Sequence, residues 1–291
     1  MKWIDYERPT TVADAVKLLS KSGEKARVFA GGTDIIVQFR GGRRGNVELL
    51  VDGKGISELN ALSLDAEGGL TVGAAVPCYK IYGDKKIAAA YPGLIDAATI
   101  IGGIQIQGRA SLGGNLCNAA PSADAIPAMI AYKGVAKVAG SKGTRDVPLE
   151  EFCTAPGKTV LNPGEMLVSI HFPAPPKGFG AKYIRFIPRN EMDIAVVGAG
   201  VSVELNGSTI KSARVTLSAV APTPLFVKAA GDALAGKAAS EKSVQAAADI
   251  ARDTAKPIND MRGTIEFRRH LCEVLTRRAL NAAIERAKEN K

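Results

Sequence analysis

Two glycine-rich stretches carry the residue types best suited to holding a ligand: Gly31-Gly32-Thr33-Asp34 and Ser111-Leu112-Gly113-Gly114-Asn115. Glycine pairs admit positive φ and lack the Cβ that keeps a ligand away from the backbone. Successive backbone N–H groups in such turns point one way and bind anionic oxygens. A helix that starts after the loop adds its dipole, and the hydroxyls of Thr33 and Ser111 add donors. Two such loops can clamp a diphosphate from both sides. Neither is a P-loop: G-x-x-x-x-G-K-[ST] is absent, and neither stretch contains lysine. Neither is a G-x-G-x-x-G dinucleotide fingerprint. Taken singly, each pair also suits a plain tight turn. The residues alone therefore stop at two loops able to take a phosphorylated ligand.

Other chemistries find little support. Cys78, Cys117, Cys153 and Cys272 form no C-x-x-C pair, and their spacing suits neither a zinc site nor a cluster. Reduced, mostly buried thiols are expected. His171 alternates with apolar neighbours in "LVSIHFP", a strand position, and His270 is far from it in sequence. No metal site is expected, and no pair of side chains demands acid–base catalysis. The formal charge is +9, but the cations are dispersed. The densest cluster, Arg40, Arg43 and Arg44, is short and poor in neighbouring aromatics, which favours an acidic partner or anionic cofactor over nucleic acid. Hydrophobic content of 46% and charged content of 23% are ordinary for a globular chain. No apolar run reaches membrane-spanning length. The stretch "MKWIDYERPT" is charged and has no apolar signal core, so the cytoplasm is the expected compartment.

The elements that must position the loops follow from pattern. "TTVADAVKLLSKSG" reads as a helix with Thr11 as N-cap, a stripe of Val12, Ala15, Val16 and Leu19, and Gly23 as its stop. "ARVFA" is a strand into the first glycine loop, "DIIVQFRGG" a helix out of it, and "VELLVDG" the next strand, together a small α/β unit. "GGLTVGAAVP" has strand texture, and "CYKIYGDKKIAAAYPGLIDAATIIG" is helical with an interruption at Pro92-Gly93. "GVAKVAG", "TRDVPLEEF" and "MLVSIHFP" return to strand and turn. The Pro- and Gly-rich "APPKGFGA" marks a boundary. Beyond it come three antiparallel strands, with Asn206-Gly207 as a hairpin turn, and three helices from Thr223 onward. The last helix is long, with Ile265, Leu271, Leu275 and Ala279 on one face. The expected class is α+β.

"FAGGTDIIVQFR", followed about eighty residues later by "SLGGNLCNAAPSADAIPAMIA", resembles the FAD-binding medium subunit of the molybdenum hydroxylases. That family includes xanthine dehydrogenase, carbon monoxide dehydrogenase and 4-hydroxybenzoyl-CoA reductase. The resemblance extends in order through "PGEMLVSIHFP" and "YIRFIPRNEMDIAVVGAGV" and covers nearly the whole chain. It implies a two-lobed FAD-binding domain of the vanillyl-alcohol oxidase/MurB-like (PCMH) type over residues 1–176, with lobes at about 1–57 and 58–176. A C-terminal α+β domain, a three-stranded antiparallel sheet with a three-helix bundle, would span 177–291.

The resemblance also implies a site. Val28, Phe29, Ala30, Gly31, Gly32, Thr33, Asp34 and Ile35 would wrap the FAD diphosphate, and Ser111, Leu112, Gly113, Gly114 and Asn115 would grip it from the other side. Ile101, ten positions before Ser111, and Leu167 match apolar contacts to the cofactor. Asp124 matches a residue that hydrogen-bonds the adenosine side, and it equally suits a helix cap. Arg185 stands where relatives often have lysine, which keeps the charge but changes its geometry. The implied partners are a large molybdenum-cofactor subunit and a small iron–sulfur subunit, in a heterotrimer or a dimer of heterotrimers. Molybdopterin and [2Fe-2S] clusters would sit on those subunits. Electrons would pass through FAD to NAD or another acceptor, and the basic surface would serve docking.

Only Cys117 and Cys153 lie near the region where the 4-hydroxybenzoyl-CoA reductase subunit carries an extra cluster, which argues against that subgroup. A stand-alone FAD-dependent oxidase of the same fold and a non-catalytic anion-binding assembly protein are the alternatives. A histidine for covalent flavin would favour the oxidase, and neither loop contains one.

Overall fold

The computed structural model describes residues 3–290. Met1 and Lys2, which begin the charged N-terminal stretch, and Lys291 lie outside the described residues. The chain opens with a three-stranded parallel sheet of β1 (Asp5–Glu7), β2 (Ala26–Phe29) and β3 (Leu49–Asp52), in the order β1-β3-β2. Helix α1 (Val12–Ser22) links the first two strands. Thr11 caps it by accepting from the Asp14 N–H, Gly23 ends it at φ 53°, and Ala15, Val16 and Leu19 form its buried stripe. Helix α2 (Ile35–Arg40) follows the first glycine loop.

A second sheet is built from β4 (Leu62–Leu64), β5 (Leu70–Gly73), β6 (Val135–Gly140), β7 (Gly143–Pro148) and β10 (Met166–Phe172). Its order is β4-β5-β10-β6-β7, antiparallel throughout. The small hairpin β8 (Cys153–Ala155) and β9 (Lys158–Thr159) lies apart from it. Between β5 and β6 run α3 (Cys78–Gly83), α4 (Lys85–Ala90), α5 (Pro92–Ala98), α6 (Ile104–Gln107), α7 (Leu112–Asn118) and α8 (Ala125–Ala131), and α9 (Leu149–Phe152) follows β7. The run expected to break only at Pro92-Gly93 breaks twice. Asp84 ends α3 and caps α4 through the Lys86 and Ile87 N–H groups. Pro92 then opens α5 at a position where its missing N–H has no intrahelical partner to lose.

The last sheet holds β11 (Phe179–Phe186), β12 (Val197–Asn206), β13 (Thr209–Ser218) and β14 (Leu225–Phe226), antiparallel in that order. Gly207 turns the β12–β13 hairpin at φ 61°. The sheet has four strands where three are expected. Leu225 and Phe226, read from sequence as the start of a helix, pair with Leu217 and Thr216. An open edge offers unpaired backbone groups, and the Arg214 guanidinium covers the Phe226 ring at 4.1 Å. Helices α10 (Lys228–Leu234), α11 (Glu241–Thr254) and α12 (Ile265–Glu289) complete the chain. A Cβ on Gly180 would lie 2.1 Å from the Ala283 carbonyl oxygen, so glycine there lets α12 lie flat on β11.

Two contacts weld this last sheet to the helices that precede it. Gly200 on β12 admits the Pro127 backbone of α8, since a Cβ there would meet the Pro127 carbonyl carbon at 2.5 Å. Asp96 on α5 accepts from Lys182 Nζ at 3.0 Å, from Arg286 at 2.6 and 3.0 Å, and from the Tyr183 N–H at 3.3 Å. Asp96→Ala leaves two cations sharing no carboxylate. It is expected to lower stability by about 2–3 kcal/mol, an intermediate value for a partly buried network, measured as a shift in the urea midpoint.

Candidate functional site

The first glycine loop leaves the carboxyl end of β2, where parallel sheets place ligands. Gly32 takes φ 81°, the left-handed region that favours glycine. At Gly31 the demand is different. A Cβ there would lie 1.8 Å from the Arg109 carbonyl oxygen, and Arg109 Nε donates to the Gly31 carbonyl at 2.8 Å. Residues 31 and 109 are thus clasped backbone to backbone, two positions before Ser111. The second loop is held in the same way. A Cβ on Gly113 would lie 2.5 Å from the Ala74 carbonyl oxygen, and the Cys78 N–H bonds the Ala110 carbonyl at 2.8 Å. Ser111 caps α7 through the Gly114 N–H at 3.0 Å. Gly31 and Gly113 therefore omit a Cβ to admit the chain's own backbone. Sequence reasoning assigned that space to a ligand.

The clasp puts both loops on one cavity of about 1020 Å³, the upper end of the usual range for cofactor sites. Val28, Ala30, Gly31, Gly32, Thr33, Asp34, Ile35, Ser111, Gly113, Gly114 and Asn115 line it, and so do Ile101, Asp124 and Leu167. Phe29, Leu112 and Arg185 do not. The Phe29 ring packs edge-on to Tyr6 and under the Lys54 ammonium at 4.4 Å. Leu112 is core, and Arg185 pairs with Asp124 at 2.6 Å. Asp124 stands at the start of α8 but makes no capping bond. Its oxygens accept from Arg185 and from Tyr183 Oη at 2.9 Å, and the Asn115 side chain accepts from the Ala125 N–H instead. Burial pushes the Asp124 carboxyl up, against the pull of Arg185 and Tyr183.

The donor set suits a diphosphate. Among the described residues, nothing accepts from the N–H groups of Gly32, Thr33, Asp34 or Gly113. Orphan backbone donors beside a cavity need an acceptor from solvent or ligand. Thr33, Ser111 and Asn115 add polar side chains to the same wall.

Sequence reasoning named Arg44 only within its densest cluster of cations and passed over three groups beside it. Arg27 and Arg44 line the cavity as cations, and Met192, Asp193, Ile194 and Ala195 reach it from the segment between β11 and β12. Behind the first loop, buried Asp52 accepts from the Lys54 N–H at 2.9 Å, from Lys54 Nζ at 2.6 Å, and from the Tyr6 hydroxyl. Lys54 Nζ in turn reaches the Ala30 carbonyl at 3.5 Å. Burial pushes the Asp52 carboxyl up, but the bonds from Lys54 and Tyr6 outweigh it and hold the group below the usual carboxylate range. An aspartate two residues before a lysine after a strand was the available signal. The cavity also carries Cys117, whose thiol burial pushes up to about 12, which makes it a poor nucleophile at neutral pH. The arrangement is equipped to bind and orient.

Both parts of the chain match known protein families. The family described as "FAD binding domain in molybdopterin dehydrogenase" matches residues 2–175, and "CO dehydrogenase flavoprotein C-terminal domain" matches residues 182–283. The chain is 34% identical to the carbon monoxide dehydrogenase medium chain of Afipia carboxidovorans, over 98% of each chain. It is 31% identical to the putative xanthine dehydrogenase FAD-binding subunit of Escherichia coli (strain K12), over 97% of this chain and 96% of that protein. A solved structure of reconstituted CO dehydrogenase from Oligotropha carboxidovorans superposes with a TM-score of 0.92, at 31% identity, over 98% of this chain and 99% of that one.

Two outcomes test the construction of the site. Gly31→Ala must part the two loops and is expected to cost about 3 kcal/mol. Gly114→Ala meets only the Ser111 hydroxyl at 3.0 Å and is expected to cost less than about 1 kcal/mol, since alanine favours the helix. Urea denaturation compares them. The folded value of Asp52 lies below its unfolded one, so its stabilisation is present above about pH 4 and is lost as pH falls through the depressed value. Asp52→Asn is expected to flatten that acid limb, read from thermal midpoints between about pH 6 and 3.

Proposed function

The chain belongs to the family of FAD-binding medium subunits of the molybdenum hydroxylases, and we infer that its two glycine loops hold the FAD diphosphate between them. It is a flavoprotein subunit of an oxidoreductase. The observation that carries the placement is the convergence of both loops on one cavity with unmatched backbone donors.

Within that reading each residue has a physical task. Val28 and Ala30 to Ile35 form one jaw, with the N–H groups of Gly32, Thr33 and Asp34 toward the diphosphate, and Ser111 and Gly113 to Asn115 form the other. Ile101 and Leu167, both mostly buried, supply apolar wall. Asp124 accepts from the adenosine side, and Arg185 and Tyr183 hold its carboxylate in place. Phe29 and Leu112 act from behind as packing for the two loops. When bound, FAD supplies the redox chemistry; the chain binds it, orients it and sets its electrostatic surroundings. The FAD-binding domain, of the PCMH type, spans 1–176 with lobes near 1–57 and 58–176, and the C-terminal domain spans 177–291.

The subunit's place is in a cytoplasmic complex with a large molybdenum-cofactor subunit and a small iron–sulfur subunit, as a heterotrimer or a dimer of heterotrimers. It passes electrons from the iron–sulfur partner to NAD or another acceptor. The basic surface serves that docking.

The purified chain is expected to be yellow with one FAD per chain. Gly31→Ala is expected to weaken FAD binding roughly tenfold or more, the loss of at least one good charge-assisted contact. A colourless chain that FAD cannot reconstitute sinks the reading. Molybdenum and iron analysis of the complex that co-purifies tests the partners, and their absence from a stable, fully active preparation would refute them.

A further inference from the structure

The clasp between Gly31 and Arg109 holds the two jaws together at one end. A single point of contact lets two segments pivot about it, so their far ends need a second tie. Helix α2 (Ile35–Arg40), which leaves the first loop, is poorly equipped to hold itself. It has six residues, below the roughly 12–15 at which an isolated helix becomes stable in water. It buries none of them, and Asp34 gives it no side-chain cap. Ile36 and Val37 are 39% and 56% exposed. Core packing therefore does not fix this helix, although the unmatched N–H groups of Gly32, Thr33 and Asp34 run directly into it.

A side-chain bridge does. Gln38 Nε2 on α2 donates to Asn118 Oδ1 at 2.8 Å, across eighty positions of sequence. Asn118 is the last residue of α7, the helix that leaves the second loop. At the other end of the same amide, Gln38 Oε1 accepts from Arg44 Nε at 2.6 Å. Among the described residues, these are the side-chain hydrogen bonds that α2 makes. Both anchors are themselves held. The Arg44 carbonyl accepts from the Val47 N–H at 3.1 Å, in the turn that leads to β3. Beyond Asn118, Ala119 stops α7 at φ 48°, and its carbonyl accepts from the Gly157 N–H of the β8–β9 hairpin at 3.0 Å. The Gln38 amide cannot turn over without setting donor against donor and acceptor against acceptor.

Gln38 stands about one helical turn past Asp34, and Asn118 lies roughly 10 Å of helix past Ser111. Clasp and bridge thus tie the same two segments at two separated points, which removes the pivot that either alone would leave. We propose that Gln38 and Asn118 are positioning residues for the bound cofactor: their bridge sets the gap between the two glycine loops, and with it the reach of the first loop's N–H groups to the diphosphate. Both residues border the cavity, but the Gln38 amide is committed to Asn118 and Arg44, so its effect passes through the loops. This rests on the reading of the main cavity as the FAD site.

The test is a double-mutant cycle on FAD affinity, read by fluorescence titration of the flavin-free full chain. Gln38→Leu and Asn118→Leu each remove one partner and keep a helix-forming side chain of similar size. Each is expected to weaken FAD binding roughly fivefold, the worth of one hydrogen bond. The double variant is expected to be no weaker than either single one, because both remove the same bridge. The urea midpoint is expected to stay put, since α2 buries nothing that global unfolding would expose. In the flavin-free chain, amide hydrogen exchange is expected to quicken at residues 32–40 in Gln38→Leu and to stay slow in β10. Losses that multiply to roughly twenty-fivefold would mean two independent contacts with the ligand and overturn the proposal. So would undiminished affinity in Gln38→Leu, or a urea midpoint that falls in step with affinity. FAD uptake by the unmodified chain reports on the FAD reading separately. If it fails, the exchange comparison still reads the bridge, and unchanged exchange at residues 32–40 overturns its hold on the first loop.

Discussion

The contact on which the site depends is the approach of Gly31 to the Arg109 carbonyl, where even one added carbon would lie 1.8 Å from an oxygen. It joins two segments almost eighty residues apart and leaves their polar backbone edges on a common cavity. Backbone-to-backbone packing of this kind is stiff, because neither side has a side chain that can move aside. The Arg109 side chain closes the clasp by donating back to Gly31. Gly113 repeats the device against Ala74, so the second loop is registered on the end of β5 as closely as the first is on the second. The preorganised donors that result need not be gathered when a ligand arrives, which is where rigid sites gain affinity.

Charge finishes what packing begins. Asp52 at the end of β3 gathers Tyr6 and Lys54, and Lys54 reaches over Phe29 to the Ala30 carbonyl. The first loop is therefore braced from behind by a buried carboxylate and in front by the second loop. On the opposite wall, Asp124 is held by Tyr183 and Arg185, residues of β11 that lie some sixty positions later. The last sheet thus contributes to the cavity through a carboxylate it does not own. The Asp96 network and the Gly200–Pro127 contact keep that sheet in register with α5 and α8. Removing a partner from such networks leaves a partly buried charge uncompensated, so they are sensitive out of proportion to their size.

Much of this was legible from local pattern. The Thr11 cap and Gly23 stop, the strand–loop–helix around Gly31, the alternation that leaves His171 exposed on β10, and the Asn206-Gly207 turn all rest on interactions within a few residues. The second break at Asp84 was missed because its cap competes with a continuous apolar pattern, and β14 because two residues carry too little periodicity to read. Arg268 falls on the Ile265–Leu271 face of its helix, where a charge breaks the apolar pattern; it is buried there, donating to the Val196 carbonyl at 2.7 Å and pairing with Asp260 at 2.6 Å. Asp260 is eight positions away, but no local signal marks the Val196 carbonyl, which lies seventy-two positions away.

The sequence by itself determined the elements, the two glycine loops and the likeness to a flavoprotein family, because these are written in short-range spacing and ordered motifs. Only the tertiary structure decided what each glycine is for. Gly31 and Gly113 serve the chain's own close approach, Gly32 serves a left-handed turn, and the unmatched N–H groups face the space that remains. It also decided that Arg27 and Arg44 meet at one cavity while Arg185 turns away to Asp124. A glycine or an arginine has one identity in the sequence, but which atoms come within reach of it is set by segments that only the folded chain brings together.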